Sequence, residues 1–122
     1  MAKQTIIVDF DGTISTYSSG WQGADVILDK PVEGVREAII KLREVYKVVV
    51  YSTRCHYPGG AEAIQKWLDQ WKIPVDQVVS EKVPSVLQVD DRAFRFEGDW
   101  DAVLEFASNK KSLAPWYKKT SS

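Results

Sequence analysis

Short β-branched apolar runs alternate along this chain with segments of helical periodicity, and the runs stop on polar residues. Residues 5–10 (TIIVDF) are continuously apolar up to Asp9, as in a strand buried on both faces of a parallel sheet. Residues 47–51 (KVVVY) repeat that pattern and lead straight into Ser52. Residues 77–80 read as a weaker third strand, and 86–89 as a fourth that ends in Asp90-Asp91. Residues 26–28 are a brief apolar island, a short strand or a flap. Between the strands, Pro31 and Glu33 open a helix carried by Val35, Ala38, Ile39 and Leu42 to about Tyr46. Pro58-Gly59-Gly60 precedes a second helix bearing Ile64, Trp67, Leu68 and Trp71. A last helix takes Asp99 as its N-cap and turns Ala102, Val103 and Phe106 inward. This alternation predicts an α/β chain with one doubly wound, Rossmann-like, mainly parallel sheet flanked by helices and right-handed crossovers.

At 122 residues the chain is one domain with a core able to stand without disulfides or a structural metal. Residues 1–109 form that core. Residues 110–122 form a C-terminal tail, either mobile or strapped down by Trp116 and Tyr117, with Lys110-Lys111 and Lys118-Lys119 solvated. Sixteen basic against seventeen acidic residues leave a net charge of −1, which excludes a whole-domain coat for nucleic acid or an anionic membrane. One cysteine and one histidine cannot build a zinc site. The absence of a long apolar run or a signal-peptide pattern predicts a soluble, cytoplasmic protein.

Ligands of open α/β sheets bind beyond the carboxyl ends of the strands, and here those ends carry a consistent chemistry. Asp9 and Asp11 are two apart and share a side of an extended segment. Carboxylates that close repel unless a cation or a proton sits between them. Asp90 and Asp91 at another strand end add negative charge, and such a cluster suits Mg²⁺. A metal alone has no use for Ser52 and Lys82. A hydroxyl and an ammonium beside a metal do suit a phosphoryl group, whose oxygens accept from both. Any single Asp after a strand is ordinarily a cap or turn residue; the case rests on four strand ends together.

These residues resemble the haloacid-dehalogenase-like phosphatases. Asp9-Phe10-Asp11-Gly12-Thr13 after an apolar strand is similar to that family's DxDGT signature, and Ser52 after VVVY to its second motif. Lys82 in EKVPS and the Asp90-Asp91 pair in LQVDD are similar to its third and fourth, in order, over residues 5–100. DDRAFRFEGDW looks like a small capless branch from bacteria and their phages. The resemblance implies that Asp9 attacks phosphorus and Asp11 serves as acid and then base. It implies that Mg²⁺ is held by Asp9, the Asp11 carbonyl and Asp90, with Asp91 a ligand or bonded to one. Ser52 would bond the phosphoryl group, and Lys82 would offset the negative charge beside Asp9. Gly12 would allow a sharp turn whose neighbouring N–H groups face the phosphate, with the Thr13 hydroxyl bracing that turn. Thr53 and Arg54 lie where substrate would lie, and Arg54 is read as a phosphate or leaving-group contact.

Other residues attract blander readings. Arg92 and Arg95 neutralise the acidic pair or its loop; Cys55 and His56 are loop residues; Trp67 and Trp71 are core or partner surface. Gly20-Trp21-Gln22-Gly23 is a turn, read as a mobile flap near Gly12. Two rivals share the fold. A phospho-receiver domain places its acidic pair first and its acceptor Asp after the third strand, the reverse of the order here. A non-catalytic phosphate-binding module would have lost Asp9 or Asp11. Only seventeen residues separate Thr13 from Pro31, too few for a cap domain. An uncapped site suits a bulky phosphate ester, or a phosphorylated small molecule if a second subunit closes over it as a homo-oligomer. A polynucleotide 3′-phosphate end is the alternative, which the net charge does not favour, and no membrane partner is expected.

Overall fold

The computed structural model describes residues 2–109 and 113–116. Four strands, β1 (Thr5–Asp9), β2 (Lys47–Tyr51), β3 (Gln77–Val79) and β4 (Leu87–Val89), form one wholly parallel sheet in the order β3-β2-β1-β4. Flanking it among the described residues are the helices α1 (Val35–Arg43), α2 (Gly60–Gln70) and α3 (Trp100–Ser108). The expected α/β architecture is therefore present. The order reverses at β1, because β2 and β3 extend the sheet one way and β4 lies on the other side. That reversal opens a crevice at the carboxyl ends of β1 and β4. Among the described residues no helix is long and apolar enough to cross a membrane.

Register explains the core. Ile6 and Val8 of β1 pair with Val48 and Val50 of β2, and all four are buried. Ile39 of α1 and Ile64, Trp67 and Leu68 of α2 pack on this cluster with Phe10, Ile14 and Ile73. Phe10 and Trp67 meet edge to face, centroids 5.1 Å apart at 85°. Ile7 and Val49 are buried too, so the central strands are covered on both faces, as their unbroken apolar sequence requires.

Several boundaries differ from the sequence reading, each for a local reason. α1 starts at Val35, not near Pro31, because Gly34 sits at φ 84°, a left-handed conformation that no helix continues through. Pro31 instead bridges Ser15, and Val32 N–H donates to the Ile14 carbonyl at 2.8 Å. The helix ends at Arg43, short of Tyr46. Residues 26–28 form no strand. α2 ends at Gln70, one residue short of the expected Trp71, which caps it and is 41% exposed, while Trp67 is buried. Asp99 does cap α3, its Oδ1 accepting from Asp101 N–H at 2.9 Å. The inner face expected for α3 is shallow, since none of its residues is buried and Phe106 packs on Phe94, centroids 5.1 Å apart. Of the tail, Trp116 is described, and its Nε1 donates to the Gly12 carbonyl at 2.7 Å. Tyr117, Lys110-Lys111 and Lys118-Lys119 lie outside the described residues.

Candidate active site at the carboxyl ends of β1 and β4

Asp9 closes β1 and Asp90 follows β4, so parallel pairing of these two strands sets their carboxylates at one end of the sheet. Oxygens of Asp9, Asp90 and Asp91 all lie within 4.8 Å of one another. Among the described residues no lysine or arginine forms an ion pair with any of the three. The consequence falls on Asp9. Burial, then the charges of Asp90 and Asp91, push its carboxyl up to about 7. Three crowded, unneutralised carboxylates are hard oxygen donors for a divalent cation, and the donor set fits Mg²⁺.

The turn after Asp9 is tightly self-bonded. The Phe10 carbonyl accepts from the N–H groups of Ile14 at 2.9 Å, Ser15 at 3.0 Å and Thr13 at 3.3 Å, while Gly12 N–H donates to Ser15 at 2.9 Å. The Gly12 and Thr13 N–H groups thus point into the turn, so of the two neighbours of Gly12 expected to face a phosphate, Thr13 has its N–H turned inward. Gly12 has a different importance. It sits at φ 78°, and a Cβ there would lie 2.4 Å from Asp91 Oδ2, so the missing side chain lets that carboxylate close on the turn. The Thr13 hydroxyl is buried with no hydrogen-bond partner among the described residues, and so does not brace the turn by a bond.

Ser52 is buried at the end of β2, where its Oγ accepts from Arg54 N–H at 3.1 Å. That bond starts the 3-10 turn Thr53–His56, whose Arg54 is buried. Arg54, expected to reach substrate, is 1% exposed. Its Nε donates to both oxygens of Asp11, at 2.9 and 3.1 Å. Its Nη1 donates to the carbonyls of Gly23, Ala24 and Val26 at 2.8, 3.0 and 3.2 Å. Asp11 is therefore clamped in orientation by a guanidinium that is itself held by three carbonyls. Burial raises the Asp11 carboxyl above the ordinary carboxylate value despite the Arg54 hydrogen bond and charge, with Asp91 and Asp29 adding to the rise.

A cavity of about 280 Å³ opens over these groups, lined by Asp9, Asp11, Ser52, Thr53, Asp90 and Asp91 together with Tyr17, Trp21, Tyr51 and Arg92. The structure thus brings six of the predicted acids and hydroxyls to one cavity. Lys82 is exposed and is not among the lining residues, but its Nζ lies 5.7 Å from the ring centroid of Tyr51, which is. The Arg92 backbone N–H donates to Asp90 Oδ1 at 2.7 Å. Cys55 is half-buried, and burial, with the Glu62 charge, pushes its thiol up, away from nucleophilic character.

The aromatic wall and its support were not read from the sequence. Asp29 accepts from Ser18 Oγ at 3.0 Å, Ser19 N–H at 3.0 Å and Ser19 Oγ at 2.6 Å, and its carbonyl accepts from Trp67 Nε1 at 2.9 Å. Burial would raise the Asp29 carboxyl, but these Ser19 and Ser18 bonds hold it low. The loop read as a mobile flap is therefore tied to the core through α2. The turn-forming serines were the available signal, but nothing local pointed from them to Asp29.

No family model and no curated protein sequence matches the chain. Among solved structures, the chain is similar to one in the structure of a Pnkp1/Rnl/Hen1 complex, at 20% identity and a TM-score of 0.52 over 88% of this chain. It spans 35% of that chain's length. It is also similar to an MCSG target from Vibrio cholerae, at 23% identity and a TM-score of 0.50, over 87% of this chain and 89% of that one. At these identities the likeness shows a shared fold.

Proposed function

We propose that this chain is a Mg²⁺-dependent phosphomonoester hydrolase of the haloacid-dehalogenase-like type, working through an aspartyl-phosphate at Asp9. The observation that carries the reading is the unneutralised Asp9, Asp90 and Asp91 cluster with the clamped Asp11 beside it in one cavity. In the first step an Asp9 oxygen bonds to phosphorus while the bond from phosphorus to the leaving oxygen breaks. Asp11 passes its proton to that leaving oxygen. Its raised affinity for a proton suits this role, and the two-oxygen contact with Arg54 Nε fixes its direction. In the second step Asp11 takes a proton from water, the water oxygen bonds to phosphorus, and the bond to Asp9 breaks to release phosphate. Ser52 lies on the same cavity wall, and because its Oγ accepts from Arg54 N–H, its hydroxyl hydrogen would be left to donate to the phosphoryl oxygens. Mg²⁺, held by Asp9 and Asp90 with Asp91 beside them, would supply the positive charge that lets a phosphoryl dianion approach this acidic cluster.

The test is hydrolysis of an aryl phosphate with and without Mg²⁺, alongside Asp9→Asn. Mg²⁺-dependent turnover that Asp9→Asn abolishes is expected. Metal-independent turnover, or an Asp9→Asn protein as active as the parent, would overturn the reading.

A further inference from the structure

One wall of the cavity has no part in the chemistry just described. Trp21 is 50% exposed although it lines the cavity together with Asp9 and Asp11. It does not hang loose. The Arg54 guanidinium carbon lies 4.9 Å from its ring centroid, and the Tyr57 ring meets it edge-on at 6.0 Å and 61°. The loop carrying it is pinned by Asp29 and contains Tyr17 at φ 55°, a left-handed conformation that a bulky side chain rarely adopts. Tyr17 and Tyr51 line the same cavity. An aromatic ring fixed from one side and open on the other, a cavity's width from a reacting centre, is a preorganised stacking platform.

We propose, resting on the hydrolase reading, that the substrate is a nucleoside phosphate, its base stacked on the open face of Trp21 while its phosphate sits over Asp9. A short acyclic polyol such as glycerol is too small to cover the ring face and would leave most of it against water. A simple phenyl group would stack but offers no polar edge. A nucleobase has both a π-face and polar edges, and Arg92 lines the same cavity. The arrangement also explains why Arg54 is shared between Asp11 and Trp21: one buried guanidinium orients the proton carrier and the platform together.

The experiment compares binding of non-hydrolysable phosphonate analogues of adenosine monophosphate, glycerol phosphate and phenyl phosphate to the Mg²⁺-loaded chain by calorimetry. This readout needs no turnover, so it stands even if no phosphate ester is hydrolysed, the separate result that defeats the hydrolase reading. Base stacking predicts that the adenosine analogue binds about 5- to 150-fold tighter than the glycerol analogue. Trp21→Leu should collapse that ratio to within about twofold of unity, and Trp21→Phe should keep most of it, because loss of Arg54 support alone would weaken both ligands together. A 3′-phosphonate dinucleotide distinguishes the source: tighter binding than the mononucleotide assigns a strand end, equal binding a free nucleotide, and either supports stacking. A wild-type ratio near one overturns the proposal without any variant. So does a ratio unmoved by Trp21→Leu, or a phenyl analogue that binds as tightly as the nucleoside.

Discussion

Arg54→Met should be among the costliest single substitutions in this chain. The side chain is 2% exposed and the Asp11 side chain 20%, so their 2.9 Å contact is a largely buried ion pair. Removing one partner of such a pair typically costs about 3–5 kcal/mol, because the other charge is left without compensation. The partial exposure of Asp11 argues for the lower half of that range. The three carbonyls stranded at Gly23, Ala24 and Val26 argue for the upper half. A loss of about 4 kcal/mol is therefore expected from a domain whose total stability is on the order of 5–15 kcal/mol. With a urea m-value of about 2 kcal/mol/M, the unfolding midpoint falls by roughly 2 M at unchanged slope. Asp11→Asn made together with Arg54→Met should recover part of the loss, giving a coupling energy on the order of 1–3 kcal/mol. A loss below about 1 kcal/mol, or strict additivity in the double variant, would refute the claim that Arg54 and Asp11 act as a buried pair.

Three further outcomes follow from the same geometry. Gly60→Ala puts a Cβ 1.8 Å from the Arg54 carbonyl oxygen, a backbone clash at the start of α2, so a loss of about 3 kcal/mol or more is expected in thermal melts; a melting temperature within about 2 °C of wild type would contradict that packing. Gly12→Ala drives Asp91 off the turn and should weaken Mg²⁺ binding about tenfold or more by calorimetry, with unchanged affinity the contrary result. Asp9→Asn should stabilise the metal-free protein at pH 8 by about 1–2 kcal/mol, discounted for partial exposure, and have little effect at pH 4. The sign follows because a carboxyl raised to about 7 by burial and by Asp90 and Asp91 holds its proton more tightly when folded, so stability present below the unfolded value near 4 is lost as pH rises through 7. A stability difference independent of pH would show that Asp9 is not so perturbed.

What the sequence disclosed, and what it withheld, divides along contact range. β1 and β2 were readable because Ile6, Ile7, Val8, Val48, Val49 and Val50 are buried on both faces, and such strands carry their apolar signal without interruption. The meeting of Asp9 with Asp90 was readable because strand ends in a parallel sheet converge. Gly34 was missed because its neighbours keep helical periodicity while its own φ does not. Arg54 was read as a substrate contact, and its buried role was hidden because its three carbonyl partners lie 28 to 31 positions away, in a loop without pattern of its own. The shallow packing of α3 was hidden for another reason: a helix rich in Trp, Leu and Phe looks the same in sequence whether or not the fold provides anything to cover it.

The bond from Trp116 to the Gly12 carbonyl joins positions 104 residues apart. A contact of that span closes nearly the whole chain into a loop, and closure entropy makes it late in folding relative to the β1–β2 pairing. The turn that follows Asp9 should therefore reach its final form after the sheet. In refolding experiments, recovery of the tryptophan environment at Trp116 would trail recovery of secondary structure, and Trp116→Phe, which removes the N–H, should leave the rate of the secondary-structure phase unchanged.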